Sequence, residues 1–107
     1  MSKKTLFRIT FSYLDAIYEI YARRVSESDL FGFLVVEELI FGENSSVVVD
    51  PSEERLKLEF NSVKRTYIPM HAIFRIDEVD KQGVAKVRDK SLDSNKVSMF
   101  PVPGKKE

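Results

Sequence analysis

Chemistry in this sequence has few places to start. His71 is the sole histidine among 107 residues, and histidine is the side chain whose charge ordinarily switches near neutral pH. A catalytic or ligand role for it needs His, Cys or Asp partners at matching spacing, and none is present. The plainer reading is a histidine hydrogen-bonded to backbone where the chain breaks. Glu37-Glu38 is a carboxylate pair in sequence, but neighbours in a strand point to opposite faces, which makes them separate solvated charges. Arg23-Arg24 and Lys64-Arg65 are the basic pairs of the central region. With Tyr21, Tyr67 and Arg75 near them, they are the ingredients of a stacking and phosphate-binding platform for single-stranded nucleic acid. The competing reading leaves each pair flanking a strand end in water.

Tyr21, Arg23, Arg24, Lys64, Arg65, Tyr67, His71 and Arg75 are therefore the candidate binding residues. No Gly-rich phosphate loop, Ser-His-Asp arrangement or metal-ligand spacing occurs. No catalytic residue, metal or cofactor is expected, and the protein is not expected to be an enzyme. Cysteine is absent, which removes thiolate and disulfide chemistry. Positions 5–79 carry 8 Lys/Arg against 13 Asp/Glu, and positions 80–107 carry 7 against 4. An acidic central region flanked by basic ends counts against a surface built to track phosphates. No apolar run resembles a signal peptide or a membrane span, so a cytoplasmic protein without membrane contact is the expectation.

The elements that must position these residues follow from periodicity. Residues 5–11 alternate, with Phe7, Ile9 and Phe11 on one face. A connection near Asp15 leads to a second alternating run over 17–25, with Tyr18, Ile20 and Ala22 opposite Glu19, Tyr21 and Arg23. These predict an antiparallel hairpin without the usual Asn-Gly turn. The run 30–41 reads as a strand buried on both faces or bent at Gly32, and 47–49 as a strand fragment. Asp50-Pro51-Ser52-Glu53 predicts a helix over about 51–61. Asp50 caps, Pro51 suits the first position, and Glu53 is spaced to reach back to the cap. Leu56, Phe60 and Val63 form its apolar stripe. Pro69 divides strands over 65–68 and 72–78, and nearly all the phenylalanines sit at core spacing.

The expected fold is therefore mainly β with one helix: a small antiparallel sheet or open barrel of four to five strands, the helix preceding the last two. Residues 1–79 make one domain and 80–107 a flexible tail. Within that tail, Met99-Phe100-Pro101-Val102-Pro103 has the composition of a short docking motif or of an idle apolar stretch.

Val48 to Leu56 (Val-Val-Asp-Pro-Ser-Glu-Glu-Arg-Leu), Val63 to Ile73 and Arg75 to Val79 resemble a family of small bacterial proteins, domain of unknown function 1820. Lys3 to Arg8 and Tyr18 to Arg23 fit as well, so the resemblance covers about residues 3–83. It implies a bacterial cytoplasmic protein and supplies no catalytic residue. A fainter, fold-level likeness is to Sm-like RNA-binding barrels, whose last strand pair also flanks a one-turn break with His-Ala-Ile, here His71 to Ile73. Met70 replaces the lysine expected there, and the Gly- and Asn-containing signature of the earlier strands is missing. Two functions are expected: a non-enzymatic interaction or adaptor module, with Tyr13 and Tyr21 on exposed sides, that binds a protein partner or itself through a strand edge, or, as the alternative, an RNA-binding small barrel.

Overall fold

The computed structural model describes residues 5–42 and 50–90. The chain forms β1 (Phe7–Tyr13), β2 (Ala16–Glu27), β3 (Phe33–Ile40), α1 (Pro51–Glu59), β4 (Arg65–Pro69), a one-turn 3-10 helix (Met70–Ala72), β5 (Ile73–Glu78) and β6 (Lys86–Asp89). All six strands pair antiparallel in a single sheet of order β4-β3-β2-β1-β5, which does not close, and β6 adds to β2. The expected class holds, with six strands among the described residues rather than four to five. The expected fragment at 47–49 lies outside the described residues.

The β1–β2 hairpin turns on Leu14 and Asp15, at φ 47° and 65°, between the paired Tyr13 and Ala16. A two-residue turn with both centres left-handed matches the twist of its strands. Two non-glycine residues achieve it here, which is why no Asn-Gly announces the turn. β2 is the spine of the sheet. One edge carries β1 along Ala16–Ala22; the other carries β6 over Ala16–Glu19 and β3 over Tyr21–Glu27. Gly32, at φ 81°, ends the turn before β3, so that strand begins at Phe33 instead of residue 30.

The core gathers Ile9, Ile20, Ala22, Val36, Leu56 and Ala85, all without exposure. Ala22 and Val25 both pack into it although three positions apart, so the faces of β2 exchange between them. Glu38, where β3 passes that point, takes φ 57°. α1 lies over the sheet through Leu56, its N-terminus capped by Asp50, which accepts from the amides of Ser52 and Glu53 at 2.9 and 3.2 Å. Glu53 is turned elsewhere than the cap: its Oε2 accepts from the Gly42 and Ala85 amides at 3.0 and 3.1 Å. Ser52 Oγ accepts from Val87 N and donates to Val87 O, at 2.6 and 3.0 Å. These bonds hold β6 against the helix.

Four expectations need correction. The domain does not end at residue 79, because Ala85 and Val87 are buried and β6 is paired; polar groups of α1 hold it where apolar periodicity was too short to show. Val63 lies beyond the helix and is 39% exposed, so the helical stripe ends at the Phe60 cap. Phe31 and Phe74 are exposed rather than core, one on a loop and one on the outermost strand. Tyr21, expected on a solvent face, is 4% exposed. The connection into β6 crosses it so closely that a Cβ on Gly83 would stand 2.5 Å from its hydroxyl.

Candidate functional site

One member of the first basic pair, Arg24, comes near the second pair at one end of the sheet. Arg24, Glu37 and Arg65 occupy paired positions on β2, β3 and β4, and Lys64 precedes β4. Glu37 stands between the two arginines, 2.9 Å from Arg65 Nε and 3.6 Å from Arg24 Nε. The left-handed turn of Glu38 brings its carboxylate to the same Arg24, at 3.8 Å. The two glutamates thus share one guanidinium, contrary to the opposite-face reading of a regular strand. The Arg65 hydrogen bond holds Glu37 below the usual carboxylate range despite partial desolvation. Phosphate would have to displace these carboxylates.

The remaining candidates do not join this row. Arg23 donates to the carbonyl of Thr5 at 3.4 Å. Arg75 and Arg8 share Asp77, at 3.1 and 2.8 Å, on the β1–β5 side of the sheet. Asp77 is held below its ordinary pKa, first by the Arg8 hydrogen bond. His71 sits exposed in the one-turn helix. Among the described residues, no group of three His, Asp or Glu side chains is placed to hold a metal ion, and no helix is long and apolar enough to cross a membrane.

A different site emerges where the β1–β2 hairpin tip, the end of α1 and β4 converge. A half-open cleft of about 440 Å³ lies there. The hairpin contributes Phe11, Tyr13 and Tyr18; the chain after α1 contributes Phe60 and Val63; β4 contributes Tyr67 and Ile68. Phe11 and Tyr18 stack with ring centres 5.0 Å apart, and Tyr13 meets Tyr18 edge-on at 6.0 Å. The Tyr18 hydroxyl donates to the Glu59 carboxylate at 3.0 Å. Burial, then this bond, pushes its pKa up to about 12. Tyr18 therefore stays protonated and serves as a fixed donor. The cleft offers aromatic and aliphatic walls with a few polar groups, among them Ser12, Glu59 and Thr66, which is the composition of a ligand pocket.

Of the candidate binding residues read from sequence, Tyr67 alone lines this cleft. Phe11 and Tyr18 were read as core, and their spacing carries no sign that their far ends face an opening. Tyr13, expected from the sequence on an exposed side, is 52% exposed beside a tight turn and lines the cleft.

Fold and cleft together define a mainly β protein: an open antiparallel sheet crossed by one helix, with an aromatic cleft at one end. The chain belongs to the family described as Domain of unknown function (DUF1820), whose model matches residues 5–102. That span includes β6 and the segment after it, whereas the sequence resemblance ends near residue 83. No curated protein and no solved structure matches the chain, so the Sm-like likeness gains no support from them.

Proposed function

We propose that the protein is a non-enzymatic interaction module that receives an extended, apolar segment of a partner protein in the cleft between the hairpin tip, α1 and β4. The preformed aromatic cleft carries this reading. Rigid rings offer contact area at little ordering cost, and such pockets hold the dominant anchors of interfaces. β4 ends the strand order and keeps one edge without a strand partner among the described residues, a surface suited to an extended peptide. Leu14, 79% exposed and left-handed, adds an apolar rim beside Tyr13. A non-enzymatic role fits a cleft whose tyrosine is locked protonated and whose carboxylate is already bonded to it.

The RNA reading is the weaker of the two. Its basic row does assemble, but Glu37 and Glu38 lie within ion-pair distance of Arg24 and Arg65, and Arg75 stands apart with Asp77.

Random-peptide display against the immobilised protein tests the proposal. Selected peptides should carry two or more large apolar residues. They should bind Val63→Asp about tenfold more weakly, a loss of about 1.4 kcal/mol, and Phe74→Asp unchanged. Peptides that bind Val63→Asp as well as the native chain, or a library that yields none, overturn it.

A further inference from the structure

β6 runs antiparallel to the start of β2 with Asp89 opposite Ala16, and the Lys90 amide donates to the Asp15 carbonyl at 2.7 Å. The chain therefore leaves β6 at the hairpin turn. Tyr13, two residues back along β1, lines the cleft, so the exit lies about 7 Å of chain from the cleft wall. Residues 91–96 reach roughly 20 Å when extended, ample to bring the next residues into the cleft. Those residues are Val97-Ser98-Met99-Phe100-Pro101-Val102-Pro103, an apolar stretch between Lys96 and Gly104-Lys105-Lys106. The family match runs through residue 102, so this stretch belongs to the matched unit. Pro101 and Pro103 preset an extended chain and reduce the entropy lost on docking.

We propose that segment 97–103 docks into the cleft of its own chain, with Phe100 as the ring that enters it, and that a partner binds by displacing it. This rests on the reading of the cleft as a peptide site. The occupant then also describes the ligand: an extended segment with an aromatic or methionine side chain beside proline, flanked by positive charge. A tether this short holds the segment at an effective concentration on the order of 1 mM.

The absence of cysteine makes the experiment direct. A spin label on Lys105→Cys in the full chain should broaden the amide signals of Tyr13, Val63 and Thr66, and least those of Leu6 and Phe7 at the far end of β1. Phe100→Glu in the labelled chain should restore them. A synthetic peptide of residues 96–104, added in trans, should bind Phe100→Glu roughly tenfold more tightly than the native chain if its own Kd is about 100 μM, and should fail on Val63→Asp. Equal affinity for the native and Phe100→Glu chains, with no broadening at the cleft, overturns docking in cis while the cleft remains a peptide site. Broadening that grows with protein concentration assigns the segment to a second copy and also overturns it. A peptide that binds neither chain overturns the docking and leaves the cleft to be judged by the display selection alone.

Discussion

Replacing Glu53 by alanine should be among the most damaging single changes in this fold. Its Oε2 is the acceptor for the amides of Gly42 and Ala85, one at the end of β3 and one leading into β6. Alanine leaves both without a partner. A buried amide stripped of its acceptor costs about 1–3 kcal/mol. Gly42 is half-buried and sits at the low end, while Ala85 has no exposure and sits at the high end. Loss of a carboxylate from the first turn of α1 adds about 0.5 kcal/mol. The sum is about 4.5 kcal/mol, a large share of the roughly 5–15 kcal/mol that holds a domain folded. Glutamine keeps an oxygen where both amides point and loses only charge assistance, about 1 kcal/mol. Urea unfolding of the three proteins reads these differences at constant m, and amide exchange locates them: Ala85 and Val87 should lose protection in Glu53→Ala. The reasoning fails if Glu53→Ala costs under about 1 kcal/mol, or if glutamine is as damaging as alanine.

Two further outcomes are expected from the geometry. Leu14→Asn with Asp15→Gly places in the left-handed turn the residues that favour it, and should raise stability by about 1–2 kcal/mol in the same urea assay. Stability should also fall at both pH extremes. Glu37 and Asp77 have lowered pKa values in the fold, so their contribution is complete above their ordinary 4.5 and 3.8 and is lost as pH falls through the lowered values; Glu37→Gln should flatten that acid limb. Tyr18 is raised, so its contribution is complete below its ordinary 10.0 and is lost as pH rises toward about 12; Tyr18→Phe should remove that alkaline loss.

The readable parts of the sequence were those in which one physical signal acts alone. Ile9, Phe11, Tyr18, Ile20 and Ala22 alternate without interruption and lie buried on β1 and β2. Asp50-Pro51 marks the start of α1 because capping is local. Signals failed where a residue's environment comes from distant chain. Lys86-Val87-Arg88 offers a single apolar position, and β6 is placed by Ser52 and Glu53, more than thirty residues away. Tyr21 alternates to the outer face, where the chain passes over it at Gly83. The opposition of Glu37 and Glu38 assumed regular extended backbone, and the left-handed Glu38 breaks that assumption. Arg24 and Arg65 lie on strands either side of β3, and spacing could not say that β3 would insert Glu37 between them. The cleft escaped because an aromatic that stacks in a core and one that walls an opening have the same period.

The divided edge of β2 bears on the order in which the chain assembles. β1 and β2 meet across two residues and β3 returns after a short loop, so that meander can form as soon as it is made. β6 closes against Ala16–Glu19 only after a detour of roughly 70 residues, which costs about 3 kcal/mol more in closure entropy than the hairpin. Ribosomal synthesis delivers residues 86–89 late, after every other strand. Until then the Ala16–Glu19 edge is unpaired, with Glu19 as its sole charge against edge-to-edge association. Slowed translation through residues 60–85 should accordingly favour aggregation of nascent chains over misfolding of the finished one, since the missing strand is the stopper for that edge.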